Sequence, residues 1–92
     1  MRLEIDMKQT VYTVHACRWG DTETHSYIVG VYAKKQAALN AATTEEEYRG
    51  GKYECEVLEW VMNEGCAGNH DVKPKVIKPL PPMNTLKARN TN

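Results

Sequence analysis

The sequence lacks phenylalanine, and none of its stretches approaches the ~20 consecutive apolar residues that a membrane-spanning helix needs. The N-terminus carries Arg2, Glu4 and Asp6 where a secretory signal would be apolar, so we expect no signal peptide and a cytoplasmic location. With 92 residues, the chain forms at most one domain. Its core is expected to be thin, because a chain of this length buries only roughly 60% of its unfolded surface.

Cysteine is also scarce, and Cys17, Cys55 and Cys66 are odd in number and widely spaced. This pattern excludes the disulfide framework of a small secreted domain. We expect reduced thiols, two of them buried on strands. The alternatives are a metal site formed by His15, Cys17 and Cys55, or cysteine catalysis with His15 or His25. The metal site is disfavoured because three ligands on flat strands rarely close a tetrahedron, and catalysis is disfavoured because both cysteines are more typical of a core.

Signatures of catalysis or of nucleotide binding are missing as well. Gly50 and Gly51 are not followed by the Lys and Ser or Thr of a phosphate-binding loop, and no RNP motif is present. Cys66 and His70 are four residues apart, but in a Gly- and Asn-rich stretch where solvent exposure is expected. We therefore predict a protein that is not an enzyme, with no catalytic or metal-binding residue, no cofactor and no small-molecule substrate.

The residues that are present favour a small α+β fold. The segments Thr10–Trp19 and His25–Tyr32 are rich in β-branched and aromatic residues, and a Gly/Asp turn divides them, so they predict an antiparallel hairpin. Lys34–Ala42 is rich in Ala and predicts a helix with a small-residue face, and Lys52–Met62 predicts a third strand. The order β-β-α-β indicates a small antiparallel sheet, in strand order 2-1-3, with one helix packed on a face.

Two irregularities are expected within these elements. Thr44 begins a capping-box pattern, and its three glutamates would oppose the dipole at a helix C-terminus, so we predict a break near Thr43. The alternative is a helix that continues to Gly50 and Gly51. In the third strand the apolar alternation shifts after Val57, which predicts a bulge near Val57–Leu58.

The chain divides into a compact domain at residues 1–66 and a Pro/Lys-rich extended arm at residues 67–92. The arm contains all four prolines, which remove backbone donors and favour extended structure. Its segment Val72–Leu80 also carries apolar residues and could pack on the domain as an edge strand, which would protect the edge of the sheet.

A net charge of zero conceals a strong division of charge. Residues 43–71 carry two basic and eight acidic side chains, whereas residues 72–92 carry five basic and none acidic. This division indicates two electrostatic surfaces, or a tail that folds against its acidic neighbour. The acidic candidates for partner binding are Glu45, Glu46, Glu47, Glu54, Glu56 and Glu59, and the candidates for RNA or partner binding are Arg18, Trp19, Lys34, Lys35, Lys73, Lys75, Lys78, Lys87 and Arg89.

Each of these sets has an alternative interpretation. The glutamates could form an ordinary solvated face, and the basic tail could merely aid solubility. Trp19 is predicted to be exposed at the hairpin tip beside Arg18, where it could stack on a base. Exposed lysines and arginines would bind phosphates with an affinity that depends on salt.

The segments 11–60 and 72–90 together resemble phage-encoded anti-CRISPR inhibitors of the type I-F surveillance complex, over essentially the whole chain. Residues 10–60 also resemble small uncharacterised β-β-α-β domains of bacteria and phages. The anti-CRISPR resemblance implies a protein of the host bacterial cytosol that binds the crRNA-guided Cascade (Csy) complex. It would contact the Cas7 backbone subunits, with Cas8, Cas5 and crRNA as further contacts, and block hybridisation of target DNA. The alternative is a small stand-alone nucleic-acid-binding or regulatory protein of phage or bacterial origin.

Overall fold

A computed structural model describes residues 9–19 and 25–81 of the chain. In chain order the elements are β1 (Thr10–Arg18), β2 (Tyr27–Tyr32), α1 (Lys35–Tyr48), β3 (Tyr53–Val61) and β4 (Lys75–Lys78). The strands form one antiparallel sheet in the order β2-β1-β3-β4. The predicted α+β class is confirmed, but the element order is β-β-α-β-β and contains one strand more than predicted.

The fourth strand comes from the predicted arm. β4 lies within Val72–Leu80 and pairs with β3 at the edge of the sheet, which confirms the edge-strand prediction for these four residues. The sheet therefore extends across the boundary that the sequence placed between residues 66 and 67. Lys87 and Arg89, at the far end of the arm, lie outside the described residues.

β1 and β3 form the centre of the sheet. They pair over nine residues without interruption, from Thr10 opposite Val61 to Arg18 opposite Tyr53. The N–H of Met62 also donates to the carbonyl of Gln9 at 2.7 Å and extends the ladder beyond the strands. This uninterrupted ladder, with cross-strand pairs at every position, makes β1 and β3 the most extensively paired strands described.

The core lies between these central strands and the helix. Alternate residues of each strand face α1, because successive side chains of a strand point to opposite sides of the sheet. Small residues on the helix let its backbone lie close to the strands. The fully buried residues of this core are Val14, Ala16, Ala38, Ala42, Cys55 and Val57.

The helix runs unbroken past Thr43 to Tyr48, so the predicted irregularity at Thr43 is wrong. The Thr43 hydroxyl donates to the carbonyl of Leu39, within the helix, at 3.2 Å. The glutamates of the last turns are tolerated because two of them have partners in the sheet, as described below. Gly50 and Gly51 end the helix, as predicted, with φ of 65° and 80°, a region that glycine adopts without steric cost.

The prediction of a bulge within β3 near Val57–Leu58 is wrong, because the extra residue at this register shift belongs to β4. Pairing with β4 shifts register there, and Ile77 is the extra residue, whereas pairing with β1 is regular. A second bulge, not predicted, leaves Val29 extra between β1 and β2. Because the β1 ladder is unbroken, Leu58 continues the alternation onto the face away from α1.

Candidate interaction surface

The predicted site residues do not converge on one surface. Arg18 ends β1, Lys34 and Lys35 flank the start of α1, and Lys73 and Lys75 lie at the start of β4; all five are exposed. Among the acidic candidates, Glu47 is exposed, Glu45, Glu46, Glu56 and Glu59 are half-buried, and Glu54 is buried.

The prediction that Trp19 is exposed at a hairpin tip is wrong. Its side chain is only 7% exposed. Its backbone N–H donates to the carbonyl of Lys52 at 3.1 Å, which continues the β1–β3 ladder past Arg18. Trp19 therefore belongs to the end of the sheet and cannot offer a free ring for base stacking in this conformation.

Three of the predicted charged residues meet at the outer edge of β3. The Lys78 ammonium lies 3.0 Å from a Glu46 carboxylate oxygen and 3.9 Å from a Glu54 carboxylate oxygen, and it donates to the carbonyl of Cys55 at 2.9 Å. The same Glu46 oxygen accepts the N–H of Cys55 at 2.9 Å. We call this cluster of Glu46, Glu54, Lys78 and the Cys55 backbone the edge brace.

The edge brace replaces strand pairing where β4 ends. β4 is in register with β3 only at Val57, Leu58 and Glu59, so the outward N–H and C=O of Cys55 lie beyond it. Glu46 and Lys78 supply the acceptor and the donor that a longer fourth strand would have supplied, and buried backbone groups require such partners. Through Lys78, the basic segment at residues 72–92 thus contacts the acidic segment at residues 43–71.

The edge brace also lowers the pKa of the Glu46 carboxyl group. Burial alone would raise the pKa of Glu46, but the hydrogen bond from Cys55 and the ammonium of Lys78 outweigh burial and lower it. The carboxylate is thus held ionised at neutral pH, and its charge helps to join α1, β3 and β4.

A second cluster attaches the end of α1 to β2 and β3. The Tyr27 hydroxyl donates to Glu45 and accepts from the Arg49 guanidinium at 3.1 Å. Arg49 also lies 4.2 Å from the centroid of the Tyr53 ring, a cation–π distance. Burial, followed by Glu45, raises the pKa of Tyr27 to about 12. Glu45 is therefore engaged within the fold.

The cysteines and histidines do not assemble the alternative metal site. Cys55 lies in the core beneath α1, whereas His15 and Cys17 lie on the opposite face, because β1 pairs Ala16 with Cys55. Within the part of the chain that the structure describes, no three His, Cys, Asp or Glu side chains are placed to hold a metal ion.

Burial also makes two thiols less reactive. It raises the pKa of Cys17, with Glu56 adding to the effect and a hydrogen bond to Ser26 opposing it. It raises the pKa of Cys55 to about 12, again with a nearby carboxylate, that of Glu46. Both thiols are protonated at neutral pH and are poor nucleophiles. Cys55 is buried, Cys17 is half-buried and Cys66 is exposed, so the prediction of two buried thiols holds fully for Cys55 alone.

The face of the sheet away from α1 is the largest feature that sequence reasoning missed. Residues that pair across strands share a face, and the observed register places apolar side chains from all four strands on this one. Three of them, Ile28, Val31 and Val76, are 60%, 61% and 51% exposed. The members of this open face are Val11, Thr13, His15, Cys17, Ile28, Val31, Glu54, Glu56, Leu58, Trp60 and Val76.

A hydrogen-bonded cluster lies at the centre of the open face. The Thr13 hydroxyl accepts from the indole N–H of Trp60 at 3.2 Å and lies 3.1 Å from a ring nitrogen of His15. These contacts fix the orientation of two large rings on the open face. The sequence held one signal of this surface, because Val11, Thr13 and His15 alternate with the core residues of β1 and a single helix covers only one side of a sheet.

Comparison with known proteins gives no match to a family model, to a curated protein or to a solved structure. Among the described residues, no helix is long and apolar enough to cross a membrane. The function is therefore proposed from the surfaces of the chain together with the resemblance of its sequence described above.

Proposed function

We propose that this protein is an anti-CRISPR inhibitor that binds the crRNA-guided type I-F (Csy) complex through the open face and prevents target DNA from hybridising. The observation that carries the proposal is the exposure of Ile28, Val31 and Val76 together on one sheet surface. Contiguous exposed apolar side chains are typical of protein interaction sites. The choice of target comes from the resemblance of the sequence, and the surface is what supports a binding mechanism.

Charged side chains outside the two clusters described above, most of them on other surfaces of the chain, provide further contacts in this proposal. Exposed cations can approach the phosphates of crRNA, and accessible carboxylates can face the basic channel that holds the guide. Apolar contact would supply most of the affinity, while the charges would set the rate and salt dependence of association. The remaining candidates are Arg18, Lys34, Lys35, Lys73 and Lys75 for RNA, and Glu47, Glu56 and Glu59 for Cas7, Cas8 or Cas5.

Five predicted contacts have other roles in the fold. Glu46, Glu54 and Lys78 form the edge brace, and Glu45 bonds to Tyr27. Trp19 lies buried at the end of the sheet. We therefore propose that partner binding relies on the open face and on the exposed charges, and does not use these five side chains.

A mobility-shift experiment tests the proposal. Labelled target duplex is added to purified type I-F complex that has first been incubated with increasing amounts of the protein. We expect the shifted band to disappear near one equivalent of inhibitor for each binding site. Reversing the order of addition should preserve the band, because a hybridised target already occupies the guide. An unchanged band at large excess of the protein would overturn the proposal.

The exposed lysines Lys73 and Lys75 favour a second candidate, a protein that binds nucleic acid by itself. The same gel then includes free crRNA and free duplex without Cas proteins. The inhibitor proposal predicts no shift of free nucleic acid at the concentrations that inhibit the complex. A shift of free nucleic acid that weakens steeply with salt, with no effect on the complex, would favour the second candidate.

A further inference from the structure

The fourth strand is attached to the sheet by few contacts. β4 has four residues, pairs in register at only three positions of β3, and contains a bulge at Ile77. Pro74 and Pro79 flank it and lack the N–H groups that would extend the ladder. Short, irregular and largely exposed elements are those that open locally while the rest of a domain stays folded.

Two side chains add to the backbone pairing of β4. Ile77 packs against the core from the edge, and Lys78 makes the edge brace with Glu46 and Cys55. The side chains of Lys78 and Glu46 are only 29% and 22% exposed. A pair at this depth is screened by salt less than a surface ion pair.

The charges around Lys78 make the brace sensitive to the loss of this one ammonium. Glu46 faces it from α1, and Glu54 and the thiol of Cys55 face it from β3. The structure shows one cation between two close carboxylates, those of Glu46 and Glu54. Without Lys78, Glu46 would lose its ion pair, and the carbonyl of Cys55 would lose its donor.

We propose that β4 is a charge-locked strap that opens as a local unit, separately from global unfolding, and that the Lys78–Glu46 pair sets how often it opens. Opening frees the outer edge of β3, including the carbonyl of Cys55 and the outward backbone groups of Val57. An exposed strand edge is a template for pairing with a strand of another protein. This strap is independent of the identity of the target proposed above.

Native-state hydrogen exchange on the full chain tests the strap, with rates corrected for intrinsic exchange and followed at low concentrations of denaturant. The reporters are the amides of Ile77 and Lys78, which belong to β4 itself. The references are the amides of Glu56 and Leu58, which alternate with Cys55 and point toward β1. We expect the reporters to exchange about a hundredfold faster than the references, with a smaller dependence on denaturant.

A matched pair of variants separates the charge lock from general effects on β4. Lys78→Met keeps the aliphatic stem but removes the ammonium, and should speed reporter exchange about tenfold. Lys75→Met makes the same change on the same strand at an exposed position, and should change exchange less than about twofold. Glu46→Gln removes the charge of the other partner. It provides the same test of the ion pair if Lys78→Met does not fold.

Two outcomes would overturn the proposal. If reporters and references exchange with the same denaturant dependence in the wild-type protein, β4 opens only in global unfolding. If the Lys78 and Glu46 variants, like Lys75→Met, change the exchange of the reporters by less than about twofold, the charge pair does not control the strap.

Discussion

The covered face and the open face of the sheet are built from alternate residues of the same strands, yet they differ sharply in exposure. On the covered face Val14 and Val57 are completely buried under α1, whereas on the open face Val31 is 61% exposed. Burying a valine side chain contributes roughly 1.5–3 kcal/mol. The covered face thus supplies the stability of the fold, and the open face keeps apolar area that the described residues leave exposed.

Thiol reactivity gives the largest expected contrast between buried and exposed positions. Cys66 is exposed, whereas burial protects Cys55 and raises its pKa to about 12. We expect a disulfide reagent at neutral pH to modify Cys66 on the order of a thousandfold faster than Cys55, because Cys55 reacts only after the domain opens. Cys17 should react at an intermediate rate.

Peptide mass spectrometry of samples quenched at successive times measures the three rates separately. Addition of denaturant serves as the control, because it should make the three rates converge. Equal rates for Cys55 and Cys66 under native conditions would mean that α1 does not cover the sheet as described.

Two valine-to-alanine changes compare the faces directly. Val57→Ala leaves a cavity beneath α1 and should lower the free energy of unfolding by about 2 kcal/mol. Val31→Ala removes the same atoms from the open face and should change it by less than about 0.5 kcal/mol. Urea unfolding followed by tryptophan fluorescence provides both values. Equal losses in the free energy of unfolding would contradict the difference between the covered face and the open face.

The edge brace predicts a smaller effect that depends on pH. Because the folded pKa of Glu46 lies below its ordinary value of 4.5, its stabilisation is present above that pH and is lost as the pH falls through the folded pKa. Unfolding measured from pH 7 to pH 3 should show a loss of roughly 0.5–1 kcal/mol from this group. Glu46→Gln should be less stable than wild type at pH 7 and should show a shallower loss on acidification. An identical pH dependence in the two proteins would exclude this role for the brace.

Local patterns were sufficient to predict the class of the fold. The β-branched runs, the alanine-rich helix and the paired glycines each act through neighbouring residues, so they are visible in sequence. The edge strand at Lys75–Lys78 could also be expected, because apolar residues lie between prolines in an extended segment. The anti-CRISPR function remains a prediction that rests on the resemblance of the sequence and on the proposed surface.

The sequence predictions fail where contacts between residues far apart in the chain determine the structure. The glutamates of α1 would oppose the helix dipole in isolation, but Tyr27 and Lys78 reach them from strands far away in sequence. Lys78 looks like a free cation in sequence, although it lies between two carboxylates in the fold. The open face escaped prediction because the strand register decides which apolar residues the helix leaves uncovered.

The most direct test of the central claim is one measurement on two variants, the concentration that half-inhibits target binding by the type I-F complex. Val31→Asp places a charge on the open face, and Tyr48→Asp places the same charge at an 80% exposed position on α1. Both should fold, with losses of stability below about 1 kcal/mol. We predict that Val31→Asp weakens inhibition at least about tenfold, while Tyr48→Asp inhibits like the wild type. Equal inhibition by two folded variants would contradict the claim that the protein binds through the open face.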